Sequence, residues 1–183
     1  DIDIGPHLAS LLRLHLAVFL AGFTGILGRL ITLNEGLLVW YRLMFSAIIL
    51  WLVFGFKGRL QKISSGTILT ITGVGFIAAI HWVTFYGSIK YANVSVALVC
   101  FSAIGFFTAI VEPLLLRKKP VIAEILLGLM MMAGIYIIFH FDARYKTGII
   151  IGLFSALLAA IFPVLNRQLL KKVNVETLTT YEL

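Results

Sequence analysis

The chain has 183 residues, 61% hydrophobic and 13% charged, with a mean hydropathy of +1.05 and a formal net charge of +7. A soluble domain holds roughly 45–50% apolar residues, so no water-soluble fold hides this much apolar surface. One cysteine, Cys100, excludes an internal disulfide, a CxxC redox pair and a cysteine-rich metal site.

In chain order the apolar tracts run Leu14–Leu33, Leu37–Phe56, Thr67–Ile89, Val94–Leu116, Val121–Phe141 and Gly148–Leu165. A bilayer core about 30 Å thick needs about 20 helical residues at about 1.5 Å each, so every tract can cross once. Unpaired backbone groups are too expensive in hydrocarbon for anything but helices or closed barrels, and the tracts lack strand-like alternation. The predicted fold class is therefore all-α, a polytopic membrane helix bundle with six transmembrane helices visible. Asp1 and Asp3 put acid where a signal peptide carries base, so the first tract is expected to stay in place as a helix.

The gaps alternate in charge. Lys57, Arg59 and Lys62 follow the second tract, Arg117, Lys118 and Lys119 the fourth, and Arg167, Lys171 and Lys172 the sixth. The other gaps hold Arg29 beside Glu35, Lys90 alone, and Arg144 with Lys146 beside Asp142. By the positive-inside rule the three basic gaps and the amino terminus are expected in the cytoplasm. Topology thus accounts for most of the positive charge, and no nucleic-acid partner is expected.

Candidate functional residues lie where polarity is costly. Arg42, near the outer third of the second span, can face a wet cavity and grip a carboxylate or phosphate with its fork of donors. The alternatives are snorkelling to the surface or a structural ion pair. In the third span His81 is a candidate for substrate binding or proton coupling, against satisfaction by a neighbouring helix. Trp82 and Tyr86, four apart on one helical face, are candidate cavity walls, against interfacial anchoring. Asn93 is a candidate pathway residue. Glu112, followed by a helix-kinking Pro113, is a candidate ion or proton coupler, against pairing with Arg13 or the Arg117–Lys119 cluster. His15 and His140 are expected at the membrane faces. Small residues, Ala21, Gly22, Gly25 and Gly28 in the first span, Gly73 and Gly75 in the third, and Gly128 and Gly134 in the fifth, are read as backbone contacts between helices, against a moving hinge. The fifth span, with Met130, Met131 and Met132, is expected to pack outside.

No GxSxG, HExxH or Walker glycine loop occurs, and no two His stand four apart. No catalytic residue, metal or cofactor is proposed. A channel or structural membrane protein is the alternative to a carrier, and an intramembrane enzyme ranks last.

The chain repeats weakly. Ala21 through Arg29 aligns with Ala159 through Arg167, and Asn34 through Leu43 with Asn174 through Leu183, with Asn34/Asn174, Leu38/Leu178, Tyr41/Tyr181 and Leu43/Leu183 identical. An odd number of spans separates the copies, so the second enters the membrane upside down, as in inverted-repeat transporters. Residues 1–141 are expected to form a first five-helix repeat, and 142–183 the first helix of the second plus the start of the next. The chain then reads as the front part of a ten-helix protein. The alignment sets Glu182 opposite Arg42, a possible internal ion pair.

The first span running to Arg29, Arg42 early in the second, and the hairpin Tyr86-Gly87-Ser88-Ile89-Lys90-Tyr91-Ala92-Asn93-Val94-Ser95-Val96-Ala97 carry a family likeness. So do the glycine-punctuated fifth span and the sixth ending Val164-Leu165-Asn166-Arg167. In these the chain resembles EamA-type members of the drug/metabolite transporter superfamily, ten-helix carriers built from two inverted repeats. Gly105 and Arg117-Lys118-Lys119 stand where many relatives carry a fourth-helix proline and a terminal acid. The resemblance implies a secondary transporter exporting amino acids or related small metabolites across a bacterial inner (cytoplasmic) membrane by alternating access. Expected partners are a small-molecule substrate, membrane lipid and the remainder of the transporter, with a homodimer left open.

Overall fold

A computed structural model describes residues 4–139 and 143–183, so the expectations for Asp1, Asp3, His140 and Asp142 lie outside the described residues. Among the described residues eight α-helices follow in order: α1 (Ile4–Leu30), α2 (Glu35–Phe56), α3 (Ser65–Tyr91), α4 (Val94–Ser102), α5 (Ile104–Leu116), α6 (Ile122–Phe139), α7 (Lys146–Leu169) and α8 (Val175–Glu182), with a 3₁₀ turn at Ala143–Tyr145. Among the described residues five segments are long and apolar enough to cross a membrane: Leu8–Leu30, α2, α3, α4 with α5, and α7. The apolar part of α6, Ile122–Ile138, is shorter, and the end of the expected fifth span at Phe141 lies outside the described residues.

Capping explains where the helices begin. Asn34 accepts from the Gly36 amide, Ser64 from Thr67, Asn93 from Val96 and Asn174 from Thr177, each side chain satisfying an amide that the helix leaves orphaned. At the far end of α2, Gly58 takes φ 61, the left-handed region that only glycine enters freely, and its amide closes on the Gly55 carbonyl at 3.0 Å.

The fourth span is interrupted at Ala103, whereas the sequence pointed to Pro113 as the kink. The α5 helix continues through Pro113 to Leu116. At Ala103 the amide turns to the Cys100 carbonyl at 3.1 Å instead of Val99, and the Ser102 hydroxyl donates to the Val99 carbonyl at 2.6 Å. The side chain thus replaces the lost backbone donor, which makes a break tolerable at membrane depth.

Packing centres on α3 and α7, which run antiparallel. Ser88 Oγ donates to the Gly148 carbonyl at 2.7 Å at one end, His81 meets Ser155 midway, and Ile71 and Val74 share a core with Leu169 at the other. Small side chains on α7 make this approach possible. A Cβ added at Gly148 would strike Ala92, and one at Gly152 would lie 2.7 Å from Ser88 Oγ and 2.9 Å from Cys100 Cβ. With Ala156 and Ala160, both buried, these glycines form a seam repeating every four residues. Van der Waals contact replaces the hydrophobic effect, which lipid cannot supply between helices.

The other helices dress this pair. The α4–α5 span lies along α7, and α6 lies against α5, where Gly128 admits Phe106. Gly25 and Gly28 bring the end of α1 onto Val94 and Tyr86, while every side chain from Leu8 to Leu20 is exposed. Gly22, Gly73 and Gly134, also expected at helix contacts, stand open. Leu38 of α2 shares a core with Phe85, Tyr86 and Ile89 of α3 and Ala97 of α4, and Leu178 of α8 shares one with Ile71 and Val74 of α3, Leu169 of α7 and Val173. The aligned leucines therefore bury against opposite ends of one helix.

All three basic gaps meet at one end of the bundle. Arg167 Nη1 reaches Glu112 Oε1 at 2.9 Å and Lys118 Nζ the same oxygen at 3.7 Å. Arg59 pairs with Glu176 at 3.5 Å, the Gln61 amide donates to Thr177 Oγ1, and Asn174 donates its amide to Gln61 Oε1 and its side-chain nitrogen to the Arg59 carbonyl. The loop after α2 is strapped to the start of α8. At the opposite end Lys90 and Glu35 stand 3.9 Å apart.

Candidate functional site

Arg42 lies two turns inside α2 from its Asn34 cap, and α3 presents Trp82 and Tyr86 to it on adjacent turns. The guanidinium carbon sits 3.6 Å from the Trp82 ring centroid, and Nη1 donates to Tyr86 Oη at 3.0 Å. Trp82 and Tyr86 stack on each other with centroids 6.0 Å apart, so the aromatic face has one orientation. Gly28 allows α1 to close the third side, because any side chain there would overlap the Tyr86 ring. Between the three helices a cavity of about 370 Å³ remains, lined by Thr24, Leu27, Leu38, Tyr41, Arg42 and Tyr86 among others. It is apolar except for one cation and a few hydroxyls.

The structure thus brings together three of the residues singled out from sequence: Arg42, Trp82 and Tyr86. His81 is placed differently. It is buried, Nδ1 lies 3.0 Å from the Ser155 carbonyl, and Ser155 Oγ donates to the His81 carbonyl at 3.0 Å, a reciprocal clasp between α3 and α7. Its ring sits among Trp82, Phe85, Phe101 and Phe162, at centroid distances of 5.0 to 6.2 Å. Asn93 does not line the cavity; its Oδ1 caps α4 at 2.9 Å from the Val96 amide. Glu112 sits in the basic-end ion cluster, paired with Lys118 of the expected run and with Arg167, which sequence did not suggest. His15 is exposed, with Nδ1 2.8 Å from the Leu11 carbonyl.

The ion pair between Arg42 and Glu182 does not form. Glu182 instead accepts from Asn166 Nδ2 at 2.7 Å, and its backbone carbonyl abuts Gly75. Gly75 and Tyr86 are eleven residues apart on α3, about 16 Å of helix, so the two charges occupy different levels of the bundle. Among the described residues no carboxylate pairs with Arg42.

Ser155, Ser88 and the α7 seam were missed. Their signal was present: Gly148, Gly152, Ala156 and Ala160 continue the small-xxx-small pattern of close helix pairs.

Comparison with known proteins adds a family. A family model described as the EamA-like transporter family matches residues 8–140. A protein of Haemophilus influenzae named "Uncharacterized transporter" is 24% identical over 153 residues, covering 78% of this chain and 49% of that protein. The chain spans about half the length of this curated relative. No solved structure matches.

Proposed function

The chain belongs to the EamA-like transporter family, and on that premise we propose that it carries a small metabolite across the cytoplasmic membrane of a bacterium by alternating access. Residues 1–141 act as a first repeat and residues 142–183 open a second, inverted one. The observation that carries this reading is the placement of α2 and α8. Their aligned caps, Asn34 and Asn174, start helices at opposite ends of the bundle, and their aligned leucines, Leu38 and Leu178, bury against opposite ends of α3. Two like elements related upside down around one site are the usual framework for rocking between two open states.

Cargo sits in the Arg42 cavity, with Tyr86 in its wall and Trp82 stacked behind the Arg42 guanidinium, while His81 ties the helix that carries both aromatics to α7. The basic end faces the cytoplasm, which puts the cavity in the outer half of the membrane. Amino acids or related metabolites are the cargo class, and export is the direction.

The test is counterflow in proteoliposomes holding the complete native polypeptide, with amino acids and organic acids as cargo. A carrier gives saturable uptake driven by unlabelled cargo on the other side. Flux that rises without saturation, at single-pore rates, makes it a channel instead.

A further inference from the structure

We infer that Arg42 and Tyr86 together bind a single carboxylate on a small cargo molecule with an apolar body; the inference rests on the carrier reading above and narrows its cargo. The guanidinium has five N–H groups, and among the described residues only one finds a protein acceptor, the Tyr86 oxygen. That oxygen accepts from Arg42, so its own proton is left to point elsewhere, and it has no protein acceptor among the described residues. An anion in the cavity can therefore collect N–H groups from Arg42 and the O–H of Tyr86 at once, a charge-assisted pair of the strong kind.

Charge balance points the same way. Glu35, on the same helix, pairs with Lys90, and Glu182, the acid the repeat sets opposite Arg42, accepts from Asn166 at another level of the bundle. A half-buried cation at membrane depth without a counter-ion is unfavourable, and a bound anion removes that penalty. Stacking on Trp82 holds the guanidinium plane still, so its free edge is aimed before cargo arrives. One cation favours one negative charge, which suits a carboxylate better than a doubly charged phosphate monoester. No lining residue is acidic, so this end offers nothing to an ammonium, while Leu27, Ile31, Leu33 and Leu38 give an apolar body somewhere to lie. A phospholipid phosphate presents similar chemistry, but Arg42 lies seven residues past the start of α2, about 10 Å along the helix.

Trp82 reports on the site directly. In the complete protein with Trp40→Phe and Trp51→Phe, Trp82 is the remaining tryptophan of these 183 residues, and any beyond them are likewise replaced. We expect 4-methylpentanoate to change its emission saturably in detergent, and the isosteric 4-methylpentanamide to do so at least tenfold more weakly. Arg42→Gln and Tyr86→Phe should each weaken the carboxylate about tenfold to a hundredfold, the range for losing a hydrogen bond to a charged group. Arg167→Gln, at the basic end, should leave binding unchanged. Equal binding of acid and amide overturns the inference, and that comparison needs no site variant to fold. So does displacement of the carboxylate by anionic phospholipid in nanodiscs, which makes the pair a headgroup site. Charge-blind binding beside saturable counterflow sinks the inference and spares the carrier. Charge-dependent binding without counterflow of any cargo does the reverse.

Discussion

Replacing Gly152 with alanine tests whether the α3–α7 seam is as tight as the geometry says. The new Cβ would lie 2.7 Å from Ser88 Oγ, 2.9 Å from Cys100 Cβ and 3.3 Å from Cys100 Sγ, against 3.4–4 Å for ordinary contact. The α7 helix must therefore back away by roughly 0.5–1 Å, since Ser88 and Cys100 are themselves buried. One turn off, the Ser88 hydroxyl bond to the Gly148 carbonyl at 2.7 Å would stretch past the useful range. Overpacking is worth about 1–3 kcal/mol and an interhelical hydrogen bond in a membrane about 0.6 kcal/mol, while alanine's better helix propensity returns up to about 1 kcal/mol. The expected net loss is about 1–3 kcal/mol. The assay is unfolding of the purified protein from mild detergent by sodium dodecyl sulfate, followed by circular dichroism. Gly134→Ala on α6 is the control, because nothing lies within 4 Å of its added methyl, and it should match or slightly exceed the parent. If Gly152→Ala unfolds within about 0.5 kcal/mol of that control, the close-packed seam is refuted.

Two further outcomes follow from the same contacts. His81→Phe and Ser155→Ala should be non-additive in the same unfolding assay, with a coupling of about 0.6–1.7 kcal/mol, because Ser155 Oγ also lies 2.9 Å from His81 Nδ1 and each substitution removes one partner of that side-chain pair; strict additivity would mean that this side-chain bond is not formed. Gln61→Ala should raise hydrogen exchange at the Asn174 amide roughly threefold to tenfold, the effect of losing a bond worth about 0.5–1.5 kcal/mol, and unchanged exchange would show the strap to be slack.

How far the sequence reached depended on the kind of signal. The helical tracts were readable because crossing a bilayer demands long runs of apolar residues, and the match of Asn34 through Leu43 with Asn174 through Leu183 marked related segments. Arg42 declared itself by being charged where charge is expensive, and the spacing of Trp82 and Tyr86 put both on one face. None of this said which helix that face would meet. The partner of His81 is Ser155, 74 residues away, and no local pattern encodes such a distance. The expected partnership of Arg42 with Glu182 failed for a related reason: the repeat aligned them in register but not in depth. Pro113 drew attention as a helix breaker, yet the break at Ala103 depends on Ser102 reaching back to Val99, a choice among hydrogen bonds that composition does not reveal.

With Leu38 docked near one tip of α3 and Leu178 near the other, α3 works as a shared axle. A lengthwise slip of α3 by a single residue would move it about 1.5 Å and unseat both leucines in the same stroke.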